Sequence, residues 1–364
     1  MSTGTEKSFT TDRYEVKYPV KIEHEGLRLD QFLKEQWQTL SREFLKKKIE
    51  AGEVTISGRT PPHRPSTKIH SGETITVLTF KSNYEDESWK GEKIEVKLIP
   101  DVVFEDDKLL IISKPPFMAT HPAGKHLFNC ATVVYETKYK KTIHSTHRLD
   151  RETSGLLVLA KDVAVAGEIQ QKFEHHQVKK CYFLIAHNEK NLTEENFPID
   201  AQERLAKGEE LPEDITDLVT RLSMHCFPAD SNVGKTAETI FKFMVEKKGY
   251  LILLAFPKTG RQHQIRAHAA AHGFPLLGDK LYNGDLTVFT RFKDGLTTDE
   301  DYQKMQIPRH ALHSIALSFD YLGEKRLLID QLPPDLKQWL ESKLELDTTK
   351  LELTIRQKIE HDLI

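Results

Sequence analysis

One stretch constrains the chain more than any other. His147-Arg148-Leu149-Asp150-Arg151-Glu152-Thr153-Ser154-Gly155 leads without a break into the apolar, strand-like run Leu156-Leu157-Val158-Leu159-Ala160-Lys161. A carboxylate thus sits between two arginines in a turn that feeds a strand. Taken alone, an aspartate in such a turn usually does no more than satisfy backbone amides. A second block changes its weight: Lys258-Thr259-Gly260-Arg261-Gln262-His263-Gln264-Ile265-Arg266-Ala267-His268, continuing to Gly273-Phe274-Pro275-Leu276-Leu277-Gly278-Asp279-Lys280-Leu281-Tyr282.

A chain of 364 residues is long enough for a well-buried core and reads as two domains. Its longest apolar runs, such as Leu156 to Ala160 and Tyr250 to Phe256, fall far short of the roughly 18 residues a membrane span needs. The start, Met1 to Thr11, is polar. Cys130, Cys181 and Cys226 are odd in number and scattered, which fits a reducing cytosol and neither a disulfide framework nor a zinc knuckle. A net charge of -3 gives no global case for binding nucleic acid, so any such surface must be local. One candidate is the stretch from Arg28 to His70, where nine Lys/Arg face five Asp/Glu.

Along the chain, Leu29, Phe32, Leu33 and Trp37 fall at helical spacing. A second short helix is predicted from Ser41 as N-cap to Gly52 as stop, with Leu45 and Ile49 inward and Arg42, Lys46, Lys47 and Lys48 on its exposed surface. Val54 and Ile56 alternate before Ser57-Gly58, and Ile69, Ile75 and Val77 suggest two further strands around Gly72. Residues 81–93 (KSNYEDESWKGEK) carry almost no apolar content and read as a linker. Val102 to Ile112 reads as a hairpin ended by Lys114-Pro115-Pro116, Ala164 to Phe173 as a helix, and Tyr182 to Ala186 as a strand. Asn188 to Asn232 reads as a long polar connection, Thr236 to Val245 and Tyr250 to Phe256 as paired strands, and Leu336 to Leu344 as a terminal helix ahead of an acidic tail.

The first block resembles the active-site motif HRLDxxTSG of the RluA-type pseudouridine synthases, and the second resembles that family's third motif. The pattern Arg28-Leu29-Asp30-Gln31-Phe32-Leu33, Ser41-Arg42 and Gly52 to Gly58 is similar to the RNA-binding module named after ribosomal protein S4, with Ser57 where Asn is usual. The resemblance implies an α+β chain. A small S4-like αα-hairpin module (15–80) and a linker (81–93) would precede a catalytic domain (94–335) with a mixed, largely antiparallel β-sheet flanked by helices, and a C-terminal helical tail (336–364) would follow. Ser113 and Phe117 depart from the Asn and Gly usual in the segment ahead of the catalytic loop.

The same resemblance implies isomerisation of uridine to pseudouridine in structured RNA, with ribosomal RNA of the large subunit favoured and transfer RNA open. Asp150 is then the catalytic carboxylate, Arg266 the cation that keeps it ionised, and Tyr182 the ring that stacks on uracil. The carboxylate could attack the sugar, attack the pyrimidine, or take a ribose proton. Arg148 would help flip the nucleotide from its stack. His147, Thr153, Arg261, His263 and Gln264 complete the expected substrate site, and Arg28, Ser41, Arg42, Lys46 and Lys47 the RNA-binding surface. No cofactor, metal or membrane is expected, and the reading is of a cytoplasmic monomer.

Rival readings are weaker. His268 and His272 have the i, i+4 spacing of metal ligands but lack the glutamate of the zinc protease signature. Gly234-Lys235-Thr236 has Ala229 where a phosphate-binding loop needs its earlier glycine. Ser154, His147 and Asp150 crowd one loop and lack a nucleophile elbow. The competitor from another class is a non-catalytic RNA-binding ribosome assembly factor. Loss of Asp150, Tyr182 or Arg266 would mark it, and all three are present.

Overall fold

The computed structural model describes residues 6–9, 13–37, 41–80, 87–122, 126, 128–207 and 223–364. The chain forms two compact units, one made of Met1–Asp86 with His121–Lys141 and the other of Glu87–Thr120 with Thr142–Ile364. The division is therefore interleaved, where the sequence suggested a single break between 80 and 94.

In the first unit, β1 (Glu6–Phe9), β2 (Arg13–Pro19), β3 (Val54–Ile56) and β4 (Thr74–Phe80) form an antiparallel sheet in the order β1-β2-β4-β3. Helices α1 (Leu29–Gln36) and α2 (Arg42–Glu50) bury Leu29, Phe32, Leu33, Leu45 and Ile49 against Val16, Val54, Ile75 and Val77 of the sheet. Ser41 caps α2 by accepting from the Phe44 amide at 3.2 Å. Helix α3 (Ala131–Tyr139) belongs to the same unit. Two local expectations fail here. Ile75 and Val77 share one strand while Ile69 precedes it, and the long partner of β4 is β2, upstream of both helices. Lys48 is buried rather than exposed, because its ammonium donates to Leu78 O at 3.0 Å and pairs with Glu53.

The second unit begins with β5 (Glu87–Trp89) and β6 (Glu92–Ile94), which pair as a hairpin. This corrects the linker reading for 87–93, whereas 81–86 lie outside the described residues. Trp89 stacks on Phe292 with centroids 5.9 Å apart and meets Tyr302 edge-on at 4.8 Å, so one aromatic side chain docks an otherwise polar hairpin.

The remaining strands are β7 (Asp101–Glu105), β8 (Leu109–Lys114), β9 (His144–Ser145), β10 (Ser154–Ala160), β11 (Lys179–His187), β12 (Asp200–Lys207), β13 (Met224–Phe227), β14 (Lys235–Lys247), β15 (Tyr250–Pro257), β16 (Leu312–Tyr321) and β17 (Glu324–Ile329). They build one sheet in the order β13-β12-β14-β15-β11-β16-β10-β8-β7, with β17 added to β16 and β9 to β10. Its pairings are antiparallel except at β10–β16, where Ser154 faces His313 and Gly155 faces Ser314. The fold is thus α+β with a mixed, largely antiparallel sheet, as expected. Strands β12 and β13 occupy part of the connection read over 188–232; 208–222 lie outside the described residues.

Alternation along β11 sets the two faces of the sheet. Cys181, Phe183 and Ile185 face α8 (Pro334–Leu344) and α9 (Thr348–Leu363), which follow the remaining helices α4 (Val163–Glu174), α5 (Gln264–Ala271), α6 (Leu286–Asp294) and α7 (Asp299–Met305). Leu184 and Ala186 face Ile265 and Ala269 of α5, and partly buried Tyr182 packs on that same side. The acidic tail is in part core, since Leu351, Ile355, Ile359 and Leu363 repeat every four residues of α9 and are buried.

Candidate active site

Gly155 explains where the Asp150 turn must sit. Its φ is +107°, and a Cβ added there would lie 2.3 Å from Ser314 O, so only glycine lets β10 meet β16 this closely. The turn just before that junction is pegged from several sides. Thr120 Oγ1 accepts from the Leu149 amide at 3.2 Å, and Thr153 N donates to Asp150 O at 3.1 Å. Thr153 Oγ1 lies 2.8 Å from His310 Nε2. Buried Lys114 donates to Arg151 O at 3.2 Å and Met118 O at 2.8 Å, so the lysine before Pro115-Pro116 holds the loop. Glu152 pairs with Lys280 at 2.8 Å and accepts from the His310 amide at 3.1 Å.

Across from this turn stands α5. Arg266 Nη1 donates to Asp150 Oδ2 at 3.1 Å, spanning 116 residues of chain. The other side of the guanidinium is a bidentate fork onto Asp279, at 2.6 Å from Nε and 2.8 Å from Nη2. Asp279 is fully buried and also accepts from the amides of Leu281 at 3.0 Å and Tyr282 at 3.1 Å. Arg266 also lies over the Tyr282 ring, 5.1 Å from its centroid.

The electrostatics follow from this arrangement. Burial alone would raise the Asp150 pKa, but His263, Arg266 and His310 together hold it below the ordinary carboxylate value. Burial pushes His263 itself down to about 4, so near neutrality its ring is uncharged and the permanent charge of Arg266 carries the effect. Burial would raise Asp279 too, yet the Arg266 fork holds it far below the usual range. Two carboxylates thus share one guanidinium, and the negative charge left over resides on Asp150, the one that faces open space.

That space is an open cleft of about 170 Å³ with Asp150, Tyr182, His263, Arg266 and Leu312 in its wall. Arg148, Thr153, Arg261 and Gln264 line it as well, and Arg148 is exposed. Burial pushes the Tyr182 phenol up to about 12, so it stays protonated at neutral pH. Gln264 faces inward and organises the loop. Its Oε1 accepts from Thr259 Oγ1 at 2.7 Å and the Arg261 amide at 2.9 Å, and its Nε2 donates to Glu238 O at 2.9 Å.

His147 is not in the cleft wall. Its Nε2 accepts from the Val158 amide at 3.0 Å and its ring stacks on Phe173 at 4.2 Å. In the first unit, considered by itself, Arg28 and Arg42 both donate to fully buried Asp30, at 3.0 Å and 3.1 Å, which sets two half-exposed guanidinium groups side by side. Lys46 and Lys47 are exposed on α2.

Two residues escaped the sequence reading. Asp279 lies within the second block, where the adjacent Lys280 gave no hint that its partner is Arg266. Lys180 lines the cleft, donates to Thr259 O at 3.0 Å and is pulled down to about 8 by burial.

Residues 108–271 match the family model described as RNA pseudouridylate synthase. The protein named ribosomal large subunit pseudouridine synthase D from Vibrio vulnificus (strain CMCP6) is 30% identical over 340 residues, covering 90% of this chain and 94% of that protein. Ribosomal large subunit pseudouridine synthase C of Rickettsia typhi (strain ATCC VR-144 / Wilmington) is 28% identical over 275 residues, covering 73% of this chain and 85% of that protein. The solved structure of Human RNA Pseudouridylate Synthase Domain Containing 4 aligns with a TM-score of 0.49 at 24% identity, over 66% of this chain and 92% of that one.

Proposed function

Since the chain belongs to the RNA pseudouridylate synthase family, whose members are isomerases acting on RNA, we propose that Asp150 is its catalytic carboxylate, with Arg266 as the cation that keeps it ionised and Tyr182 as the ring that receives the uracil. The observation that carries this reading is the 3.1 Å contact between Arg266 Nη1 and Asp150 Oδ2 at the wall of an open cleft.

The reaction balances without an outside reagent. The bond from the ribose anomeric carbon to uracil N1 breaks, the bond from that carbon to uracil C5 forms, C5 gives up its proton and N1 takes one. An ionised carboxylate can open the sequence by attacking sugar or ring, or by taking a ribose proton. Tyr182, a neutral phenol up to about pH 12, stacks on the base and relays the C5 proton through its hydroxyl rather than acting as a phenolate. The exposed Arg148 fills the gap left when the nucleotide swings out of its stack, and Arg261 and His263 contact the loop backbone. Thr153 and Gln264 hold the shape of the two walls, and His147 supports the start of β10 from behind.

For the substrate we infer large-subunit ribosomal RNA, supported by the names of relatives that align over most of their length. Residues 15–80 serve as an S4-like RNA-binding domain, and the catalytic chemistry belongs to the unit of Glu87–Thr120 with Thr142–Ile364. Arg28, Arg42, Lys46 and Lys47, with Ser41 capping their helix, form its phosphate-contacting surface. The enzyme works as a cytoplasmic monomer. Chemical mapping of pseudouridines in total cellular RNA, with and without this protein, tests the reading. Loss of one or more sites in large-subunit ribosomal RNA is expected; an unchanged map there, or loss confined to transfer RNA, contradicts the substrate assignment.

A further inference from the structure

On the side of α5 away from Arg266's fork lies a group of side chains that the isomerisation does not use. Glu203 of β12, Cys226 of β13 and His268 of α5 bring one donor atom each to within 4.8 Å of one another. We propose that these three residues bind a divalent transition metal ion of the Zn2+ class, with His272 fixing the carboxylate from behind.

The donor set is the first argument. Imidazole, thiolate and carboxylate together match zinc's preferences, and neither magnesium nor calcium takes a sulfur ligand. Position is the second. His268 is fully buried, and its Nε2 has no hydrogen-bond partner. Oε2 of Glu203 is likewise shielded and unpartnered, 3.4 Å from that nitrogen. This is too long for a good hydrogen bond, yet it is the separation of two ligands on one ion. A tetrahedral ion with bonds of about 2.0–2.3 Å sets its ligand atoms about 3.3–3.8 Å apart, so closing the group needs side-chain shifts of only about 1 Å.

Orientation is the third argument. His268 Nδ1 lies 3.1 Å from Thr239 Oγ1, whose hydroxyl also accepts from Gln264 Nε2 at 2.9 Å. With Nδ1–H donating to Thr239, the lone pair of Nε2 points into the group, the outer hydrogen bond that ligating histidines usually make. His272, one turn along α5, sits 2.8 Å from Oε1 of Glu203, leaving Oε2 for the ion. Solvent supplies the fourth position. Without metal the Cys226 thiol holds its proton and meets Ala267 O at 3.6 Å; binding forms a metal–sulfur bond and releases that proton to solvent.

The ion would bolt α5, which carries Arg266 two residues before His268, to β12 and the edge strand β13. Untagged full-length protein dialysed against a weak chelator should retain about one equivalent of Zn2+ by mass spectrometry. After removal with a strong chelator, added Zn2+ should raise the Tm by about 5 °C. Substitution with Co2+ should give tetrahedral visible bands and a sulfur-to-cobalt charge-transfer band in the near ultraviolet. Cys226→Ser should abolish the charge-transfer band while keeping the circular dichroism of the wild type, and His272→Gln should weaken Zn2+ affinity by about 10-fold or more. A wild-type protein that neither retains Zn2+ nor gains Tm from it overturns the proposal. So does a Cys226→Ser protein with unchanged metal content and Co2+ spectrum.

Discussion

Arg266 serves two carboxylates at once, and the division of its donors decides the chemistry. The fork on Asp279 uses Nε and Nη2, and the single remaining contact from Nη1 keeps Asp150 charged without enclosing it. Replacing Arg266 with Gln removes the permanent cation that opposes burial, so the Asp150 pKa must rise and the acid limb of the kcat/KM profile must move to higher pH. An unmoved limb would separate Arg266 from Asp150's ionisation. The same variant strands a second buried carboxylate at Asp279, with an expected stability loss of about 3–5 kcal/mol in urea denaturation. Asp150 and Arg266 were legible because the two sequence blocks carry them, and Tyr182 only through the family resemblance. Asp279 was not, because a counter-anion to an arginine is defined by a meeting in space, and its loop context reads as an ordinary turn. His147 shows the opposite failing: it belongs to the motif, yet its ring spends its acceptor on the Val158 amide behind the cleft.

At the scale of elements, the junction of β10 and β16 is what brings the Asp150 turn to α5. Gly155→Ala combines a positive φ with a backbone clash against Ser314, and should cost about 3 kcal/mol or more in stability. A loss below about 1 kcal/mol would mean that the junction is not the constraint described here. Strands with continuous apolar runs, such as β10, β11 and β15, could be read from the sequence, as could α1, α2 and α4 from their spacing. Strands β12 and β13 could not. Residues 200–207 (DAQERLAK) set Gln202, Glu203 and Arg204 between buried Ala201 and the buried pair Leu205 and Ala206, which leaves no period-2 alternation to read. Hairpin β5–β6 has the composition of a linker and is fixed by Trp89 packing on Phe292 and Tyr302 and by Glu87 pairing with Arg151. Lys48 looked like one more surface lysine because nothing local reveals that Glu53 and Leu78 O enclose its ammonium.

For the molecule as a whole, buried neutral histidines govern acid stability. Burial pushes His147 and His313 down to about 3 and His263 to about 4, whereas in the unfolded chain each takes its proton near 6.5. Below about 6.5 the unfolded state therefore binds more protons than the folded one, and stability falls as pH drops from 6.5 towards 4. Urea midpoints that rise over that window would contradict this account. RNA affinity belongs to this scale too: Lys46→Gln with Lys47→Gln removes two exposed charges, and should reduce the slope of log K against log salt by about 2 without touching the cleft. An unchanged slope would remove α2 from the RNA surface. The central claim, that one ionised carboxylate performs the isomerisation, is tested most directly by Asp150→Asn on RNA carrying tritium at uracil C5, where each turnover releases tritium to water. The account predicts RNA binding within about threefold of wild type and no tritium release; release at the wild-type rate would contradict it.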